Sequence, residues 1–105
     1  MNLRYSLAAV EEAEEIAKWL QKRKVGEGQK FIDGFAAGVK EITTDPFRWP
    51  RFESAIQLAP DRNVRRYVLR PFPHLLLYEI RGDFVVALAV MHPSRDPSYW
   101  VDRLE

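Results

Sequence analysis

The sequence predicts an α+β fold: an N-terminal strand, a helical hairpin and an antiparallel β-meander, with the helices packed on one face of the sheet. Three observations predict it. Apolar residues recur with a period near two at the N-terminus, with a helical period from Ala8 to about Thr44, and in strand-like runs again from Arg65 onward. Gly82-Asp83 separates two of those later runs, HLLLYEIR and FVVALAVM, as a two-residue hairpin would. FVVALAVM (Phe84 to Met91) is apolar at consecutive positions, as expected of a central strand covered on both faces.

The elements follow in order. NLRYSL, residues 2 to 7, alternates, with Leu3, Tyr5 and Leu7 on one side, and reads as a short strand. From Ala8 the period becomes helical: Val10, Ala13, Ala17 and Leu20 form a stripe that Ile16 widens. Glu11, Glu12, Glu14 and Glu15 fall in the first turns, and Lys18, Lys22, Arg23 and Lys24 toward the end, an order that suits the helix dipole. The acidic run reads as a solvated helix face.

Gly26 and Gly28 punctuate the chain, and a second helix is expected from about Glu27 to Thr44, with Phe31, Phe35, Val39 and Ile42 as its apolar stripe. Gly34 and Gly38 lie on an adjacent face. Each glycine weakens a helix interior by about 1 kcal/mol, so the pair points to a close approach by the first helix or the sheet. DPFRWPRF (Asp45 to Phe52) ends the helix at its prolines, and its aromatics are expected to fold back over the core edge. ESAIQLAPDRN is open, with part of it a possible strand. Strands are expected at Arg65–Arg70, His74–Arg81 and Phe84–Met91.

Length and composition bound the function. The 105 residues suit one domain spanning 1–105, and 47% of them are apolar, enough for a core. The net charge of +1 gives no global signal for nucleic acid or membrane. The absence of cysteine excludes disulfides and thiolate metal sites. His74 and His92, the two histidines, have no carboxylate partner at metal-ligand spacing. Phosphate-binding glycine loops and a nucleophile-elbow serine are likewise missing. No cofactor or metal is therefore expected. The N-terminal MNLRYSLAAV does not read as a signal peptide, and no run approaches the roughly 18 apolar residues of a membrane span, so a cytoplasmic protein is expected.

Charge type, unlike net charge, is uneven. All five lysines lie at or before Lys40, and the nine basic residues after it are arginines. Arg62, Arg65, Arg66 and Arg70 occupy a nine-residue window without an acid. Past the last strand, MHPSRDPSYW brings His92, Arg95, Tyr99 and Trp100 to the sheet's rim. Forked arginines beside aromatics can hold phosphates and stack bases. Equally, the arginines can solvate an exposed sheet face while Tyr99 and Trp100 cap the core. The residues leave both readings open.

The ordered set of Arg66, Phe72-Pro73-His74, Tyr78, Gly82-Asp83, the apolar run Val85 to Val90, His92, Arg95 and Tyr99-Trp100, preceded by DPFRWPRF, resembles the RelE/ParE superfamily of toxins from bacterial type II toxin–antitoxin systems. The resemblance spans nearly the whole chain. It implies a RelE/ParE-like fold, a growth-arresting toxin, a cognate antitoxin encoded in an adjacent gene that binds it in a hetero-oligomer, and one of two targets: mRNA on the ribosome or DNA gyrase. For an mRNA endoribonuclease it implies metal-independent attack of a 2′-hydroxyl on the adjacent phosphate. Arg66 and Arg95 would stabilise charge, Tyr99 or His92 would move protons, and Arg62, Arg65, Arg70 and Trp100 would bind the target. A gyrase poison would act through a protein surface instead. A third reading is a non-toxic binding module of the same fold. Two departures stand out. His74 occupies a position where the family commonly has tyrosine, and ESAIQLAPDRN offers only Arg62 where the nucleases carry several basic residues, often lysines. His92-x-x-Arg95-Asp96-Pro97 looks more like the gyrase-poisoning branch.

Overall fold

A computed structural model describes residues 1–104. Strand β1 (Asn2–Tyr5) leads into α1 (Leu7–Arg23) and α2 (Glu27–Thr44). A short helix α3 (Glu53–Leu58) precedes the meander of β2 (Val64–Val68), β3 (Leu75–Arg81) and β4 (Phe84–Met91), and a 3₁₀ turn at Val101–Arg103 follows. The expected α+β order is present, and α2 and β4 have the expected bounds. The first strand ends earlier than its alternation suggested. Ser6 caps α1, its hydroxyl accepting the Ala9 N–H at 3.1 Å, so Leu7 is already helical. ESAIQL is a helix and not a strand. The Phe52 carbonyl accepts the N–H groups of Ala55 and Ile56, and Ala55 is fully buried, so one apolar contact and one turn of hydrogen bonds outweigh the weak alternation.

The sheet has the order β1-β4-β3-β2, with β1 parallel to β4 and the other neighbours antiparallel. β4 is thus a central strand, as its two apolar faces require. Tyr78 pairs with Ala87 and Leu77 with Ala89, so Leu88 is an extra residue, a β-bulge. The bulge turns Leu88 and Ala89 toward the same face and thereby fixes two cores. On one face, Val85, Ala87, Val90, Leu76, Tyr78 and Ile80 pack against Ala9, Ala13 and Leu20 of α1 and Phe31 and Ile42 of α2. On the other, Leu77, Leu88, Ala89 and Met91 pack against Phe52, Ala55 and Trp100. The helical hairpin covers one face, and α3 with the C-terminal segment covers much of the other.

The glycines allow the hairpin to sit close. A Cβ on Gly38 would lie 2.7 Å from a Tyr67 ring carbon, and one on Gly28 would lie 2.7 Å from the Ala17 carbonyl oxygen. Of the two glycines expected to mark a close approach, Gly38 meets the sheet, and a Cβ on Gly34 would lie 3.3 Å from the Arg70 carbonyl oxygen in the β2–β3 connection; the Gly28 contact joins the two helices. The outer edge of β2 is shielded by residues 50–52: the Arg66 N–H donates to Pro50 O and the Phe52 N–H to Val64 O. Among the described residues, no helix is long and apolar enough to cross a membrane.

Candidate functional site

The rim of the sheet beyond β1 is where sequence and topology converge. β1 pairs with β4 only as far as Ala87, so the outer edge of β4 from Leu88 to Met91 has no strand beside it. Buried backbone groups there still need partners. Side chains supply them. The Leu88 carbonyl accepts from the Ser6 hydroxyl at 3.2 Å and from Arg103 Nη1 at 2.9 Å. The Val90 N–H donates to Glu12 Oε1 at 3.1 Å.

Glu12 is the centre of this rim. Besides Val90 it accepts from Tyr99 OH at 2.7 Å, from Arg95 Nη1 at 3.2 Å, and from Arg103 through Nη1 at 2.8 Å and Nη2 at 3.2 Å. Its side chain is only 12% exposed. Two guanidinium groups lie over the Tyr99 ring, that of Arg95 3.6 Å and that of Arg103 4.9 Å from its centroid. Burial and donation to Glu12 hold the Tyr99 phenol well above the usual tyrosine range, and the two arginines, which pull the other way, do not offset them.

His92 stands exposed beside this cluster. Its Nδ1 accepts the Ser94 N–H at 3.1 Å, and the Ser94 hydroxyl lies 2.7 Å away. Its ring meets that of His74 edge to face at 5.3 Å. His74 is 6% exposed, its Nδ1 is sealed without a hydrogen-bond partner among the described residues, and burial, aided by the charge of His92, lowers its pKa below the usual histidine value.

Arg66 is elsewhere. It lies on β2 opposite Leu77 and lines a groove of about 300 Å³ with Phe52, Glu53, Ser54, Leu75, Met91, Pro93 and Pro97. Its guanidinium makes no hydrogen bond or ion pair with a described residue. Arg95 lines a different cavity, of about 180 Å³, with Glu12, Glu15, Ile16, His74, Val90, Met91 and His92. Met91 borders both, so the end of β4 separates Arg66 from Arg95.

The remaining arginines divide by role. Arg62 donates to Glu79, which also receives Arg81; Glu79 is 2% exposed on the α3 face of the sheet. Desolvation pushes the Glu79 carboxyl up, but the hydrogen bonds and charges of Arg62 and Arg81 together bring it below the usual range. Arg65 donates to Asn63 Oδ1 at 2.9 Å and to the carbonyls of Phe47 and Trp49 at 2.9 and 2.6 Å, pinning the segment after α2. Arg70 is exposed in the β2–β3 connection. Trp100 is fully buried, donates its indole N–H to Pro97 O and meets Phe52 edge-on at 6.0 Å, so it closes the second core and presents no stacking surface.

The structure therefore brings Arg95 and Tyr99 together with His92 nearby, leaves Arg66 on the other side of β4, and gives Arg62, Arg65 and Trp100 structural partners. Glu12 and Arg103 complete the cluster, and neither was expected there. The acidic run is not uniformly solvated: Glu12 falls three residues after buried Ala9 and beside buried Ala13, at the margin of the apolar stripe. That position was the available signal. Among the described residues there is no group of three or more His, Asp or Glu side chains arranged to hold a metal ion.

Comparison with known proteins bears on the assignment. No curated protein matches the chain. The model of a family described as the ParE toxin of the type II toxin-antitoxin system, parDE, matches residues 3–97. That segment runs from β1 past the end of β4 and includes Glu12, Arg66, His92 and Arg95 while stopping short of Tyr99. With this much of the sequence and the α+β architecture accounted for, the chain belongs to the ParE toxin family of type II toxin–antitoxin systems.

Proposed function

We propose that the chain, acting as one toxin domain over residues 1–105 in the cytoplasm, arrests growth by binding DNA gyrase and is neutralised by its cognate antitoxin. Family membership supports the toxin role and implies the antitoxin partner. The choice of target rests on one observation: Glu12 occupies Tyr99, Arg95 and Arg103 together. Cleavage of RNA through a 2′-hydroxyl needs a base of suitable pKa and cations facing the same phosphate. Here the phenol is committed as a donor with its pKa raised, and Arg66 faces a separate groove. A surface that binds a protein has no such requirement.

Purified protein added to gyrase is expected to inhibit supercoiling and to trap a cleaved DNA complex. Unaffected supercoiling without trapped cleavage would overturn the gyrase reading. Endoribonuclease activity remains the competing reading because the Arg66 guanidinium is unpaired among the described residues and borders a groove. It predicts cleavage of mRNA on programmed ribosomes and its loss in Arg66→Ala, whereas the gyrase reading predicts intact mRNA. Growth arrest on expression of the chain alone, relieved by the small gene next to its own, tests the toxin–antitoxin role. A benign phenotype would favour a non-toxic binding module.

A further inference from the structure

Residues 16–26, IAKWLQKRKVG, carry four cations, Lys18, Lys22, Arg23 and Lys24, and no acid. They form the end of α1 and the turn into α2, so the cations collect at the tip of the helical hairpin. The glutamates of α1 lie in its first half, toward the other end. Glu27, the first acid after the turn, is already matched by Lys30 at 3.3 Å. None of the four cations forms a side-chain hydrogen bond or ion pair with a described residue.

Apolar side chains stand among these charges. Val25 is 86% exposed, the most exposed large apolar side chain among the described residues, and Trp19 is 53% exposed. The chain reverses at Gly26, whose φ of 93° is one that glycine adopts freely. The Gln21 amide oxygen accepts the Gly26 and Gly28 N–H groups at 3.0 and 3.3 Å, so the turn is held from within the hairpin and sets Val25 at its apex. Two flanks meet there. On one, the Arg23 guanidinium stacks on Trp19 at 4.7 Å. On the other, Lys18 and Lys22 border a shallow open groove of about 680 Å³ whose apolar lining includes Ala17, Val25 and Ile32.

The occupant must match both features. A nucleic-acid backbone would pair with the cations and leave Val25 and Trp19 against a polar surface. An acidic protein would need separate pockets for an apex and for a ring on one flank. A lipid interface needs no such relief: it takes up apolar side chains of any outline, favours tryptophan at headgroup depth and, when anionic, attracts clustered lysines and arginines. The charge gradient along α1 points the tip, and not the glutamates, at such a surface.

We infer that the hairpin tip docks peripherally on an anionic lipid surface, with Val25 and Trp19 at the boundary of headgroups and acyl chains and Lys18, Lys22, Arg23 and Lys24 against the headgroup phosphates. The inference does not rest on the toxin reading.

The test is sedimentation of the full chain with vesicles of equimolar phosphatidylcholine and phosphatidylglycerol, set against vesicles of phosphatidylcholine alone. Binding is expected to the first and not to the second, and should weaken as salt is raised. Lys22→Glu with Arg23→Glu and Lys24→Glu should weaken it by about a hundredfold. Val25→Ser should weaken it severalfold. Tryptophan emission should move to the blue on binding, and Trp19→Phe should remove that shift. Lys40→Glu, toward the far end of α2, should bind as the unaltered chain does. All these positions are exposed, so each variant should keep the circular dichroism of the fold. No sedimentation with the anionic vesicles would overturn the proposal. Binding that Val25→Ser leaves unchanged, or an equal loss in Lys40→Glu, would reduce the effect to general charge and overturn it too. Tighter binding of duplex DNA or of polyglutamate, lost in the triple variant, would assign the tip to nucleic acid or to an acidic protein instead. Gyrase assays contain no lipid, so failure of the docking surface is distinguishable from failure of the gyrase reading.

Discussion

Glu12 satisfies five donors with two oxygen atoms and ties three parts of the chain together: α1, the unpaired edge of β4 and the C-terminal segment. Removing it strands two arginines and the Val90 N–H in a partly buried site. Glu12→Ala should cost about 2–4 kcal/mol, measured by urea unfolding, since an uncompensated buried charge costs more than the pair was worth. Glu12→Gln, which keeps an acceptor for Val90 or Tyr99, should cost less. Two other groups set the response to acid. The His74 pKa is lowered by folding from its usual 6.5, so its neutral form contributes stability at higher pH, and that contribution declines as pH falls below about 6.5. Glu79 is likewise lowered, from 4.5, so the stability it shares with Arg62 and Arg81 is complete above that value and is lost as pH falls through the folded-state pKa. Acid unfolding should therefore begin in the window set by His74 and steepen in that of Glu79. His74→Phe should remove the first phase and leave the second, as followed by circular dichroism against pH.

At the scale of elements, the two helices and the sheet are spaced by glycines. A side chain at position 28 meets a backbone oxygen of α1, which cannot swing aside. Gly28→Ala should gain about 1 kcal/mol of helix propensity and lose about 1–3 kcal/mol to overpacking, for a net fall in stability visible as a lowered Tm. Gly38 faces the Tyr67 ring, a more yielding neighbour, so Gly38→Ala should be the milder of the two. The sequence had already pointed to the approach at Gly38, with Gly34, because glycine in a helix interior needs a reason, whereas Gly28, in the first turn of α2, read only as punctuation. The bulge at Leu88 had no such signal. A run of consecutive apolar residues looks the same with or without an extra residue, and only the pairing of Leu77 with Ala89 reveals it. The helix at ESAIQL was similarly illegible, since six residues are too few for a period to be distinguished.

At the scale of the molecule, the sheet carries a core on each face, and the second depends on the last dozen residues. Trp100, together with Tyr99, Val101 and Leu104, covers Leu88, Ala89 and Met91. Deleting the chain after His92 should expose that face. The product should bind a hydrophobic dye and lose cooperative unfolding, and Trp100→Ala alone should cost about 3–5 kcal/mol. The sequence by itself determined the succession of first strand, helical hairpin and meander, the central place of β4, the hairpin at Gly82-Asp83 and the family, because each of these is written in local periodicity or in an ordered set of residues along the chain. Tertiary structure alone decided which polar residues meet. Glu12 and Arg103 are 91 residues apart, and Glu12 and Tyr99 87 apart. They join because β1 stops short of the end of β4 and leaves backbone groups that side chains must satisfy. Arg66 and Arg95, both plausible partners for one phosphate, are instead separated by the end of that same strand. A linear sequence records periodicity and composition, but the vacancy beside a strand exists only once its neighbours have been placed.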